Sequence, residues 1–344
     1  MRTITIVGGG LAGLTLGVAL RGQQVPVRIW EAGRYPRHRV CGEFVSGRGQ
    51  HILDKLGLTE EFRRAGAIFS RTAAFFMGGV NSPVRAVQPP ALCLSRFFMD
   101  QVLAERFQAS GGELLQNRKW DGGDTDDGVV LTSGRRLKPT ERGWRWLGLK
   151  IHGRNIELSA DLEMHASCSG YVGLCRLPGG EVNVCGLFRI LPEAHLSAST
   201  AKALIRGAPG TSLGARLEKA TWLEDSFCSV AGLQLRPQRA TDSQECRLGD
   251  ALTMIPPVTG NGMSMAFEAA EMALEPLTAY ARSEISWDQA RRAIAMACDV
   301  AFRQRLFWGR LLQTLMFSRA LHSQLGSLLL GSGTLWRLLF ERTR

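Results

Sequence analysis

The chain opens on a short β-branched run, Thr3-Ile4-Thr5-Ile6-Val7, that gives way at once to Gly8-Gly9-Gly10-Leu11-Ala12-Gly13. Residues 14–20 are then apolar and helix-compatible, and residues 25–30 form a second β-branched run ending at Glu31. This pattern predicts a strand, a glycine turn, a buried helix and a second strand. Further on, a helix is predicted over 47–56, stopped by Gly57, with strands and turns over 67–94. Phe98, Val102, Leu103 and Phe107 give a helix over 97–109 its apolar stripe, and Gly111-Gly112 stops it. Short strands are expected near 114–115 and 129–131. The acidic run 121–128 between them reads as a solvated hairpin tip; it lacks the terminal Glu of a calcium loop. From 144 to 190 the pattern is mostly β. Leu147, Leu149 and Ile151 share one strand face and Lys150 and His152 the other, and Pro178-Gly179-Gly180 turns a hairpin. Residues 198–207 read as helix and 219–235 as strands. A helix follows from about Met263 to Tyr280, and Ser286-Trp287-Asp288-Gln289 is a capping box that starts a long Arg-rich helix. Helices fill most of 287–344, with a break near Gly331-Ser332-Gly333.

The first unit carries chemistry. Gly8 permits the tight turn, Gly10 lets a pyrophosphate approach the backbone, and Gly13 lets the helix pack against the sheet. The helix N-terminus at Leu11 and Ala12 offers free N–H groups to phosphate. Glu31 stands about 20 residues on, where it can accept hydrogen bonds from ribose hydroxyls. Strand, turn, helix and acid in register point to a dinucleotide without saying which one.

Composition changes little. Hydrophobic content of 45% and charged content of 21% are those of a globular chain. The net charge of +11 is spread over scattered arginines, with no basic tail or aromatic-basic interleaving, so nucleic acid is not an expected partner. Eight cysteines form no CxxC pair and no zinc spacing with histidine, so no metal is expected, and free thiols in a reducing cytoplasm are the simplest reading. The first strand begins at the N-terminus, so no signal peptide is expected, and no apolar run is long enough to span a membrane.

A second cluster lies some 240 residues after the first: Gly249-Asp250-Ala251, then Pro256-Pro257-Val258-Thr259-Gly260-Asn261-Gly262-Met263 at the head of a helix. A fingerprint followed late in the chain by this cluster resembles the FAD-dependent oxidoreductases of the p-hydroxybenzoate hydroxylase superfamily. The resemblance implies a Rossmann-like α/β FAD-binding domain with a β-sheet substrate domain. In it Asp250 holds ribityl hydroxyls, Gly260 and Gly262 bring the loop close to the flavin, and the helix from Met263 aims its N-terminus at the pyrimidine edge. Within the superfamily, Val40-Cys41-Gly42-Glu43 resembles the Cys-Gly loop of the geranylgeranyl reductase-like branch, and Leu94-Ser95-Arg96 its cofactor-contacting Arg segment. Ala32, Arg39, Gly249 and Pro257 complete the expected FAD contacts. Ser133-Gly134 stands where hydroxylases carry Asp-Gly, which favours a reductase. Trp144-Arg145-Trp146 resembles half of a flavin-halogenase mark, but Gly148-Leu149 replaces its Ile-Pro, so it reads as a packed strand.

The expected organisation is a discontinuous FAD-binding unit (1–66, 93–140, 240–282), a β-sheet substrate unit (67–92, 141–239) and a C-terminal helical segment (283–344). The expected reaction is hydride transfer from reduced FAD to a carbon–carbon double bond of an apolar small molecule, with NAD(P)H as transient donor. Cys41, Glu43, Lys150 and His152 are the candidate catalytic groups. Hydroxylation of an aromatic or polyketide, the reverse desaturation and a non-enzymatic flavoprotein subunit are the alternatives. His165 reads as a satisfied strand histidine. Leu306, Phe307, Leu311, Leu315 and Met316 beside Arg303, Arg305, Arg310 and Arg319 would suit an interfacial membrane helix, a cover for the flavin domain or the wall of a greasy tunnel.

Overall fold

The computed structural model describes residues 1–136, 138, 140–141, 143–194, 197–318 and 330–343. Arg319 lies outside the described residues. Two sheets organise the chain. The first has five parallel strands: β1 (Ile4–Val7), β2 (Val27–Glu31), β7 (Glu113–Gln116), β8 (Val129–Leu131) and β14 (Cys246–Arg247), in the order β14-β8-β1-β2-β7. Helix α1 (Leu11–Gly22) is buried from Leu11 to Leu20, as a helix apolar on every side must be. It packs between this sheet and the helices α4 (Arg96–Ala109) and α7 (Gly262–Ala281). Every parallel pair needs a crossover, and α1 supplies the one between β1 and β2.

The second sheet runs β13 (Thr221–Ala231), β9 (Arg145–Arg154), β12 (Val182–Ile190), β11 (Gly170–Arg176), β10 (Leu162–Ser167), β4 (Ile68–Met77), β6 (Arg85–Cys93) and β3 (Phe44–Val45), with β5 (Val80–Asn81) paired to β4. Pro178–Gly180 turns the β11–β12 hairpin. Phe44–Val45, inside the stretch assigned from sequence to the FAD unit, adds the edge strand of this second sheet. Helices α5 (Ala198–Arg206) and α6 (Ser212–Leu217) cover one part of it. Helices α2 (Arg48–Lys55) and α3 (Leu58–Arg64) follow β3, and Gly57 in a left-handed conformation separates them.

One expectation is overturned here. The acidic run 121–128 is not a hairpin tip: β7 and β8 lie on opposite sides of β1 and β2 and run parallel, so the loop crosses the end of the sheet. Period and composition cannot tell a crossing loop from a turn, because the two differ only in which strands pair.

Helix α8 (Trp287–Met316) starts on the predicted capping box of Ser286 and Gln289. It is fastened to α7 by a buried bidentate pair, Arg305 Nη1 and Nη2 to the Glu268 carboxylate at 2.6 and 2.7 Å. Arg305 is therefore a core clamp and not part of a basic surface, and Leu306 is buried as well. A last helix, α9 (Gly333–Arg342), closes the described chain. No helix among the described residues is long and apolar enough to cross a membrane.

Candidate active site

Two cavities meet in the middle of the molecule. The first is a cleft of about 730 Å³ at the carboxyl ends of the parallel strands, where a doubly wound sheet receives its ligand. Gly8, Gly10, Ala12, Glu31 and Ala32 line one end of it. Arg39, Cys41, Gly42 and Arg96 line a side, and Asp250, Pro257, Gly260, Gly262 and Met263 the far wall. Gly13 and Gly249 stand behind the wall. A Cβ at Gly13 would fall 2.2 Å from the Gly8 carbonyl oxygen, and Gly249, at φ +60°, would place one 3.0 Å from Ala12 Cβ.

The cradle suits a dinucleotide. Gly8 sits at φ +108° with Thr132 against it, which only glycine accommodates, while a Cβ at Gly10 meets nothing within 4 Å and would stand on the cleft wall. Two helix N-termini reach the cleft and neither has a side-chain cap: α1 begins after Gly10, and α7 after Asn261, whose amide donates instead to the Thr343 carbonyl at 2.6 Å. Helix ends left this way offer N–H groups to a phosphate or another anion. Glu31 is buried and oriented by N–H donation from Gly9 (2.8 Å) and Gly33 (2.7 Å) and by Arg37 (2.5 Å). Burial pushes the Asp250 carboxyl above its ordinary value, against the charges of Arg135 and Arg96, as suits an acid waiting for hydroxyl donors.

Arg96 is anchored by a two-point pair with Asp100 at 2.7 and 2.8 Å. Burial alone would lower its pKa, but the Asp100 carboxylate holds it raised. Burial raises the Cys41 thiol, and the charge of Arg96 only partly offsets that, so the thiol keeps its proton.

The second cavity, about 250 Å³, is almost wholly apolar. Phe75, Met77, Leu187 and Leu233 come from the second sheet and the segment after it, and Leu315 and Met316 from the end of α8. Leu315 and Met316 are thus chamber wall, which is the tunnel alternative of the sequence reading and not the interfacial one. Cys41, Gly42, Arg135, Pro257 and Gly260 line both cavities and form the partition between them. Gly260 is at φ +62°, and a Cβ there would strike the Phe44 ring at 2.4 Å.

Of the four candidate catalytic groups only Cys41 reaches a cavity wall. Glu43, Lys150 and His152 are brought together, but behind the partition and fully buried. The Glu43 carboxylate takes the Arg96 backbone N–H (2.8 Å), His152 Nε2 (2.6 Å) and Lys150 Nζ (3.4 Å). Burial would raise its pKa; the His152 hydrogen bond and the Lys150 charge hold it below the ordinary carboxylate value. Lys150 also meets His38 Nδ1 at 2.9 Å. The face shared by Lys150 and His152 is therefore neither solvent surface nor chamber wall: it is a charged junction between β9, α4 and the 38–43 loop. His165 is a satisfied strand histidine, between Glu163 (2.9 Å) and Ser212 (3.1 Å).

His38 sets a pH dependence. Burial first, then the Lys150 and His152 charges, pull its pKa from 6.5 to about 4. Between those values the unfolded chain binds a proton that the folded one refuses, so this contribution is whole above pH 6.5 and is lost as pH falls towards 4. The ring is half-exposed, so the loss is screened to about 1 kcal/mol. Denaturant melts at pH 7.5 and 4.5 are expected to show it in the wild type and not in His38→Gln; equal losses in both would remove His38 from the account.

Sequence reasoning missed part of the site. Trp120 and Asp124 of the crossing loop line the cofactor cleft, and Trp120 packs edge-on against Trp30 at 5.4 Å. A tryptophan beside an acidic run was the available signal. Arg135 and Met254, on both walls, carried none.

Residues 1–142 match the FAD binding domain family. The chain carries a FAD-binding domain. Three solved structures share its fold. p-Nitrophenol 4-monooxygenase PnpA from Pseudomonas putida DLL-E4 superposes at TM-score 0.75 and 17% identity, over 99% of this chain and 98% of its own. PqsL from Pseudomonas aeruginosa, a probable FAD-dependent monooxygenase, gives 0.70 and 15%, over 95% and 100%. The flavin-dependent brominase Bmp2 gives 0.73 and 16%, over 98% and 94%. None of these three is a geranylgeranyl reductase. No curated protein matches the sequence.

Proposed function

We propose that this flavoprotein is a monooxygenase of an apolar small molecule, with reduced nicotinamide as its transient electron donor. The observation that carries the reading is the partition: an apolar chamber lies against the cofactor cleft across Cys41, Gly42, Pro257 and Gly260. Oxygen insertion needs a chamber that excludes water and holds the substrate beside the flavin, and it asks for no acid or base on the chamber wall. Reduction of a carbon–carbon double bond needs a proton donor there, and of the four candidate groups only Cys41 lines the chamber; Glu43, Lys150 and His152 do not reach it. Two of the three solved structures with this fold bear the name monooxygenase.

FAD, when bound, supplies the two-electron chemistry. The chain supplies the rest. The α1 N-terminus and Gly10 receive the pyrophosphate, Glu31 the ribose and Asp250 the ribityl hydroxyls. The uncapped α7 N-terminus at Gly262 and Met263 would offer its N–H groups and dipole to negative charge on the bound flavin. Arg96 and the Glu43 junction hold the Cys41–Gly42 segment between cofactor and substrate.

A reductase is the second reading, favoured by one observation: Cys41 lines both cavities. Turnover with NAD(P)H under labelled dioxygen separates the two. One labelled oxygen per product is the expected result, with Cys41→Ser close to wild-type rate. Product gaining two hydrogens anaerobically, and lost in Cys41→Ser, would overturn the monooxygenase in favour of the reductase.

A further inference from the structure

Helix α8 works on two sides. Its inward face, through Leu312, Leu315 and Met316, walls the apolar chamber. Its outward face carries Met296, Val300, Phe307 and Leu311, with Val300 81% and Phe307 64% exposed. At the helical period these four fall in a sector about 60° wide, and they run about 22 Å along the axis. Arg292, Arg303 and Arg310 follow one edge of that stripe, in an adjacent sector about 20° wide. Among the described residues, no ion pair or hydrogen bond engages the guanidinium of Arg303 or Arg310, whereas Arg292 meets Asp288 at 2.9 Å. The helix has one other acid, Asp299, and it is turned inward to the backbone N–H groups of Ala240 and Thr241. The stripe is therefore apolar along its length, bordered by cations, and free of negative charge.

We propose that this outer face of α8 docks the protein on an anionic lipid surface. The apolar stripe enters the acyl boundary while the arginine row lies at headgroup level, the arrangement of an interfacial helix. Charge complementarity favours anionic lipid over a second copy: the arginine row finds counter-charge at headgroup level, whereas a second stripe of this kind brings no acid to meet it. A net charge of +11 acts in the same direction, each arginine near an anionic surface contributing about fivefold in partitioning. The inference stands on the helix surface and does not depend on which reaction the flavin runs.

The test is co-sedimentation of the FAD-loaded full chain with vesicles of phosphatidylcholine alone or with phosphatidylglycerol. Binding to the mixed vesicles is expected to exceed that to phosphatidylcholine by tenfold or more, and to weaken with salt. Val300→Glu with Phe307→Glu is expected to lower it at least tenfold at unchanged flavin absorbance and melting temperature, because both side chains are exposed. Arg303→Ala with Arg310→Ala is expected to lower only the anionic component. Wild-type protein that ignores both vesicles overturns the proposal. So does a concentration-dependent dimer, seen by sedimentation velocity, that the stripe variants abolish in the absence of vesicle binding. Oxygen incorporation from a water-soluble substrate without vesicles reports on the reaction separately, so either idea can fail alone.

Discussion

Gly10→Ala is expected to fold like the wild type and to bind FAD at least tenfold more weakly, while Gly13→Ala is expected to lose the fold itself. The two glycines are three residues apart, and their surroundings are opposite. A methyl at Gly13 would lie 2.2 Å from the Gly8 carbonyl oxygen and 2.4 Å from Thr132 Oγ1, in a turn that cannot shift without moving the first strand. That overlap costs about 3 kcal/mol or more. A methyl at Gly10 touches no protein atom and stands on the cleft wall. Its cost to the apoprotein is about 0.5–1 kcal/mol at a helix cap, and its further effect falls on whatever must approach the backbone there. Thermal melts of the apoproteins and flavin-fluorescence titrations read the two effects independently. Undiminished FAD affinity in Gly10→Ala would show that the pyrophosphate does not lie against Gly10.

Lys150→Met is expected to destabilise the protein by about 3–5 kcal/mol, because Glu43 keeps its burial and loses its cation. Combining it with Glu43→Gln should restore most of that loss, since the double variant leaves no isolated charge and Gln can still accept from the Arg96 N–H. The coupling between the two positions is expected to reach about 2 kcal/mol in a denaturant double-mutant cycle. Additive losses would mean that Lys150 is balanced elsewhere, and the junction would cease to be an electrostatic unit. The junction also explains a backbone oddity. Glu43 sits at φ +61°, a region that costs a non-glycine residue about 1 kcal/mol or more, and its three hydrogen-bonded and charged partners hold it there.

What the sequence disclosed and what it hid divide along one line, the range over which a feature is written. The fingerprint from Ile4 to Glu31 is local: strand, turn, helix and acid follow one another, and each part is placed as read. The late cluster at Gly249 and Gly260 is legible for the same reason, since its glycines and prolines fix backbone shape within a few residues. The crossing loop at 121–128 was not legible, because hairpin and crossover differ only in strand order. The chemical types of Glu43, Lys150 and His152 stood out at once, yet their mutual neutralisation depends on β9 lying against the 38–43 loop, with Val40 packed 3.0 Å from where a Gly148 Cβ would be. Of the apolar chamber, the sequence offered only the stretch of α8 at Leu315 and Met316. The chamber wall is assembled from many strands and two helices, each contributing residues that would serve equally in an ordinary core.

The interleaving of the two sheets has a consequence for biosynthesis. The chain builds β1, α1 and β2 first, leaves for the second sheet at Phe44, returns for α4, β7 and β8, leaves again, and supplies β14 and the α7 N-terminus only at residues 246–263. A nascent chain on the ribosome has the Gly8–Glu31 end of the cleft long before it has the wall from Asp250 to Met263. The cleft is therefore complete only when about three-quarters of the polypeptide has been made, and a shorter product lacks its far wall.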